Sequence, residues 1–132
     1  MKLDVHDIGI VVDDIDGAKK IYENAFGMSG KARYIVHTFK AEVRFIPATN
    51  IYIELVKPLT DDGLSLFLRK HGSGMLHHIC YVVEDMAQAV QYFSKEKGLS
   101  VIRSVPQDTS CFEKALFFER RGTGNNLMSA RK

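Results

Sequence analysis

The sequence predicts an α+β fold in which one β-α-β-β-β unit is used twice in tandem. Three observations predict it. Asp7-Ile8-Gly9-Ile10-Val11-Val12-Asp13-Asp14 returns 71 residues later as His78-Ile79-Cys80-Tyr81-Val82-Val83-Glu84-Asp85. The match continues beyond this stretch, pairing Ile15 with Met86, Ala18 with Ala89, Tyr22 with Phe93, Gly27 with Gly98 and Ser29 with Ser100. In both copies the apolar spacing changes from the near-continuous run of a strand to the three-and-four spacing of a helix, and a glycine closes the helix.

In the first copy, Val5 to Val12 reads as a strand, apolar nearly throughout. Asp13, Asp14 and Asp16 follow, and aspartates there suit the start of a helix by capping it and by facing its positive end. Ala18, Ile21, Tyr22 and Ala25 recur on one helical face, and Gly27 stands past the helix end. Lys31 to Phe39 and Glu42 to Pro47 alternate weakly as strands. Ala48-Thr49-Asn50 is a turn, and Ile51 to Val56 is the strand after it. Pro58 closes the unit. Leu64, Phe67 and Leu68 mark a short amphipathic helix entered at Thr60-Asp61-Asp62-Gly63, and Gly72-Ser73-Gly74 forms a joint.

The second copy repeats the order. His77 to Val83 is a strand, and Met86 to Lys97 a helix with Met86, Ala89, Val90 and Phe93 inward. Leu99 to Val105, Lys114 to Glu119 and Asn126 to Ala130 are strands, with a turn at Gly122-Thr123-Gly124-Asn125. That turn is no phosphate loop, because no helix follows it. The expected organisation is a single domain over 1–132: a first unit at about 4–57, a linker helix at about 58–75 and a second unit at about 76–131. Neither unit alone buries its sheet face. Matching Phe45-Ile46 to Phe117-Phe118 sets the last strand, so that Asn50 falls on Asn125 and Glu54 on Ser129.

The 132 residues are 45% hydrophobic and 26% charged with a net charge of +2, which is ordinary for a globular protein. Basic residues are interleaved with acids, and the clusters Arg120-Arg121 and Arg131-Lys132 are short. This pattern excludes nucleic acid and membrane surfaces as expected partners. No apolar run approaches the ~20 residues of a membrane span. Cys80 and Cys111 make no disulfide framework, and with no signal-peptide pattern at Met1 to Asp4 the expected setting is cytoplasmic.

Two residues stand out chemically. Glu54 is an acid in an apolar strand, so it faces solvent, lines a wet cavity or has a cationic partner. His78 poses the same question in the second copy. A lone strand histidine is commonly structural, but two such residues at equivalent depth in a duplicated unit point to a shared site.

These residues carry a resemblance. Ile8-Gly9-Ile10 with Asp14-Ile15-Asp16, Ile53-Glu54-Leu55-Val56-Lys57-Pro58-Leu59, and Phe67-Leu68 through Gly74-Met75-Leu76-His77-His78-Ile79 to Asp85 resemble the vicinal oxygen chelate superfamily over nearly the whole chain. That superfamily includes glyoxalase I, extradiol dioxygenases, fosfomycin and bleomycin resistance proteins and methylmalonyl-CoA epimerase, and the likeness is greatest to the epimerase. The resemblance implies paired β-α-β-β-β units forming a cup-shaped mixed sheet. A divalent metal (cobalt, nickel, zinc, manganese or iron) is held there by His, Glu or Gln, His and Glu from four equivalent strand positions.

Carried over, Glu54 and His78 stand at two ligand positions. The first position, normally His, is Asp7, an oxygen donor suited to a hard metal. His6 is displaced by one residue and takes this role only through a bulge. The fourth position is Ser129 in place of the expected acid, which leaves the metal site incomplete. The resemblance also implies a glutamate on the third strand as a proton-transfer group, a place for which Glu42 is the available acid. Glu54, His78 and Glu42 are thus the expected catalytic residues, and Asp7, Glu54 and His78 the expected metal ligands.

Tyr52 and Cys80 share strand faces with Glu54 and His78 respectively, and either cavity lining or packing suits them. Tyr81 takes the opposite face. His37 is expected at the surface or in a structural role, and His71, before the glycine pair, at the surface in solvent. The expected function is that of a metal-assisted isomerase or lyase acting next to a carbonyl of an acyl-thioester or small oxygenated substrate. The alternative is a metal-free small-molecule-binding protein of the sequestering type. A homodimer is the expected assembly.

Overall fold

Strand β1 (Asp4–Val11) leads into helix α1 (Ile15–Phe26), followed by β2 (Arg33–Val36), β3 (Ala41–Pro47) and β4 (Tyr52–Pro58). Helix α2 (Gly63–His71) precedes β5 (Met75–Val82) and α3 (Met86–Val90). The chain then continues as a π-helical stretch, Gln91–Glu96, and as β6 (Leu99–Thr109), β7 (Phe112–Arg120) and β8 (Leu127–Arg131). The computed structural model describes residues 3–28, 33–36, 40–96, 99–109, 112–120 and 127–131, with side chains for 3–28 and 40–95. The β-α-β-β-β order expected for each copy is present, and the fold is α+β. Among the described residues no helix is long and apolar enough to cross a membrane.

The chain divides into two units, one spanning 7–77 and the other 78–132 together with the first six residues. In the 7–77 unit the strand order is β2-β3-β4-β1. β2–β3 and β3–β4 are antiparallel and β1–β4 parallel, which places Gly9 beside Glu54, Phe45 beside Glu54 and Glu42 beside Lys57. Strand alternation then sorts the sheet into two faces. Ile10, Ile46, Ile53 and Leu55 take one face and pack with Val12, Ile15, Ala18 and Tyr22 of the β1–α1 region. Asp7, Val11, Val43, Phe45, Glu54 and Val56 take the other, and all six are buried. A leucine as fully enclosed as Leu55 contributes roughly 2–3 kcal/mol through the water it sheds.

Helix α1 forms because its apolar residues recur on one side. It stops at Gly27, which adopts the left-handed conformation at φ 66°. The amides of Gly27 and Met28 donate to the carbonyls of Glu23 and Tyr22, closing the last turn. Burial raises the Tyr22 phenol above its usual pKa, so this ring, 5.9 Å from Phe26, stays neutral as packing. The predicted linker helix is α2. The Asp62 carboxylate accepts from the Leu64 amide at 3.3 Å, and Arg69, Lys70 and His71 suit its negative end. The Gly72-Ser73-Gly74 joint is pinned to the end of β1. The Gly74 amide donates to the Val11 carbonyl at 2.8 Å, the Asp13 amide to Ser73 Oγ at 3.1 Å, and Ser73 Oγ to Asp13 Oδ1 at 3.0 Å. Gly74 at φ 92° supplies the backbone conformation this turn requires.

The other unit repeats the arrangement in the order β5-β8-β7-β6, with β5–β8 parallel and the other two pairings antiparallel. Val83, Met86, Ala89 and Phe93 form its core cluster, with Leu3, Val90 and Tyr92 packed against it. Here Asp85 caps its helix, accepting from the Gln88 amide at 3.1 Å. Its counterpart Asp14 makes no such bond and instead leans over Gly17. The single helix expected from Met86 to Lys97 is corrected: α geometry ends at Val90, and a π-helical turn carries the chain on to Glu96.

Candidate metal centre

The register carries the duplication down to single residues. Gly9 pairs with Glu54 in the 7–77 unit, and Cys80, the repeat mate of Gly9, pairs with Ser129 in the other. Phe45 lies beside Glu54 as Phe117 lies beside Ser129. Asp7 pairs with Tyr52, and its mate His78 with Leu127. The equivalence of Glu54 with Ser129, and of Asp7 with His78, therefore holds at the level of backbone pairing.

Asp7 and Glu54 are brought together. β1 and β4 are adjacent and in regular register from Asp7 to Val11, so both carboxylates lie on the face away from α1. Asp7 is 0% exposed and Glu54 7% exposed, and a carboxylate oxygen of one lies within 4.8 Å of an oxygen of the other. Two buried carboxylates this close repel unless a proton or cation stands between them. The apolar neighbours on this face, Val11, Val43, Phe45 and Val56, strengthen that repulsion by excluding water. Asp7 rather than His6 takes the position beside Tyr52, with no bulge at that point of the register.

His78 is 5% exposed on β5, and Cys80 on the same strand face is fully buried. Tyr52 is half-buried on the Glu54 face, its ring edge-on to Phe45 at 6.0 Å. Glu42 is not brought to the carboxylate pair. It stands across from Lys57 on the sheet face opposite that of Glu54, because β3 and β4 pair without a register shift. His71, expected at the surface, is half-buried with its ring 4.5 Å from Phe67. His77, which sequence reasoning passed over, is buried with its ring edge-on to Phe67 at 4.8 Å. Its place just before the symmetric His78 was the available signal. His37, Cys111 and the turn at 122–125 lie outside the described residues, as does the Ser129 side chain.

Comparison with known proteins agrees with this architecture. A family model described as the glyoxalase/bleomycin resistance protein/dioxygenase superfamily matches residues 6–113. The chain is 33% identical to the protein YqjC of Bacillus subtilis over 122 residues, covering 92% of this chain and 86% of that protein. It is 36% identical over 98 residues to the ethylmalonyl-CoA/methylmalonyl-CoA epimerase of Cereibacter sphaeroides, covering 74% of this chain and 72% of the relative. Among solved structures, methylmalonyl-CoA epimerase from Mycobacterium tuberculosis superposes with a TM-score of 0.82 at 21% identity, covering 97% of this chain and 86% of that one. Duplicated register, buried carboxylate pair and family match converge, and the chain belongs to the glyoxalase/bleomycin resistance protein/dioxygenase superfamily.

Proposed function

We propose that this protein is a metal-assisted isomerase or lyase acting next to a carbonyl, with Asp7, Glu54 and His78 holding a divalent metal ion. The observation that carries the reading is the buried Asp7–Glu54 pair, two carboxylates on one sheet face whose repulsion a divalent cation removes. His78 supports it by occupying, in the second copy, the place Asp7 occupies in the first. The donor set of two carboxylates and one imidazole suits a divalent ion. Similarity to acyl-CoA epimerases supports a small acyl-thioester as substrate. The family resemblance adds a homodimer in the cytoplasm to the proposal.

Moving a proton beside a thioester carbonyl requires stabilisation of the enolate oxygen and a group to take and return the proton. When bound, the metal supplies the first by polarising the carbonyl oxygen. Asp7 and Glu54 would hold it, and the surrounding Val and Phe side chains keep water away. Glu42, on the other face, is left out of the proton transfer. Among the described residues of β1, β3 and β4, Tyr52 is the remaining acid/base side chain on the Glu54 face, and we assign it that role: the phenolate would take the α-proton and the phenol would return it. A metal-free ligand-binding protein is the second reading. It is favoured by Ser129, a weak ligand in the register position equivalent to Glu54.

Metal analysis of protein purified without a metal-affinity tag tests the first reading. One divalent ion per chain, lost in Glu54→Ala and in His78→Ala, is the expected result. Absence of metal, with stability indifferent to chelator, refutes it and favours the second reading. Deuterium uptake from solvent into methylmalonyl-CoA tests the substrate, and no uptake at high protein concentration removes that thioester.

A further inference from the structure

We infer that Gly9 is a specificity-determining residue: the side chain it lacks leaves room on the β1 backbone for the small α-substituent of a thioester. The inference rests on the proposed reading of a thioester reacting beside Asp7 and Glu54, and deepens it by placing one part of that substrate. Register is the first argument. β3, β4 and β1 pair without a shift, so three rows of residues cross the sheet face away from α1. Pro47, Tyr52 and Asp7 form the first row, Phe45, Glu54 and Gly9 the second, and Val43, Val56 and Val11 the third. Gly9 is the one position in these rows without a side chain. It is buried, beside Glu54 and between Asp7 and Val11 along β1.

Backbone conformation is the second argument. A glycine inside a strand weakens it, through entropy and through the packing it forgoes. No turn calls for one here: the positive φ angles of the described glycines belong to Gly27, Gly72 and Gly74, and no bulge interrupts β1 beside Glu54. The repeat mate Cys80 carries a side chain at the same register position, beside Ser129, and is fully buried. The strand frame therefore accepts a side chain at this place, which leaves close approach of another group to the backbone as the reason for glycine. Chemistry is the third argument. Asp7 and Glu54 border the place on two sides, and the buried Val11 and Val56 close its far end. Carboxylates repel an anionic group there, whereas a methyl or ethyl group sheds water against the valines.

The test compares the full chain with its Gly9→Ala variant. Calorimetry gives Kd for malonyl-CoA, methylmalonyl-CoA and ethylmalonyl-CoA, which carry hydrogen, methyl and ethyl at the same carbon. In Gly9→Ala the Kd of methylmalonyl-CoA is expected to rise on the order of tenfold, that of ethylmalonyl-CoA more, and that of malonyl-CoA by no more than about twofold. Tm is expected to equal or exceed that of the unsubstituted chain, because alanine suits an ordinary strand conformation. An equal change for all three thioesters, or no change, overturns the role of Gly9 and leaves the thioester reading intact. A Tm lower by about 5 °C or more, or failure to fold, also overturns it, since protein atoms then occupy the space. Failure of the unsubstituted protein to bind any of the three overturns the thioester reading, and the role of Gly9 with it.

Discussion

The 7–77 unit and the 78–131 segment descend from one pattern, yet they invest it differently. The first places two carboxylates, Asp7 and Glu54, on adjacent strands and on the sheet face away from its helix. The second has His78 and Ser129 at the same two positions. The first ends its helix in a regular left-handed glycine, while the second passes from α into π geometry. Backbone pairing has therefore been retained while side-chain chemistry has drifted. Parallel pairing of the first and last strands of each copy holds the frame, and the donors on it are free to change.

The comparison can be broken most forcefully in the core. Leu55 fills the helix-facing side of β4, whereas the corresponding position of β8 is already Ala130. Leu55→Ala is expected to cost about 3 kcal/mol of unfolding free energy in urea titration, the size of a leucine cavity. A loss below ~1 kcal/mol would show that the first copy depends on this side chain no more than the second does. A smaller effect tests the register. Ser129→Glu puts an acid at the position equivalent to Glu54 and is expected to tighten divalent-metal binding by roughly tenfold, about 1.4 kcal/mol. Unaltered affinity, measured by calorimetry, breaks the functional equivalence of the two positions. The smallest effect separates the two helix starts. Asp85→Ala removes a cap and is expected to cost ~1 kcal/mol, whereas Asp14→Ala, with no cap bond to lose, is expected to stay within ~0.5 kcal/mol. Equal losses in thermal unfolding would erase that distinction.

Much of this was legible in the sequence. The repeat located the first strand and the start of the helix in each copy, alternation and turns marked the other strands, and aligning Phe45 with Phe117 made Ser129 the counterpart of Glu54, as the pairings have it. The Asp7–Glu54 partnership was legible because strand alternation and the repeat agree on it. The face of Glu42 was not. It depends on the length of the 48–51 turn, closed by the Ala48 amide on the Ile51 carbonyl, and a single residue more or fewer reverses every side chain of β3 relative to β4. The π turn was equally hidden, since Met86, Ala89, Val90 and Phe93 keep helical spacing either way. His77 and Phe67 meet only through tertiary packing, which no local pattern announces.

The bridge between Asp13 and Ser73 has a kinetic consequence. It joins residues 60 positions apart, and the parallel pairing of β1 with β4 likewise closes a long stretch of chain. The β3–β4 hairpin closes over a single short turn. Ring closure grows more costly in entropy with the length enclosed, so the hairpin offers the low-barrier start and β1 the late arrival. Asp7 travels on β1 and Glu54 on β4, so the two like charges meet only near the end of assembly, when most of the surrounding apolar wall is already in place.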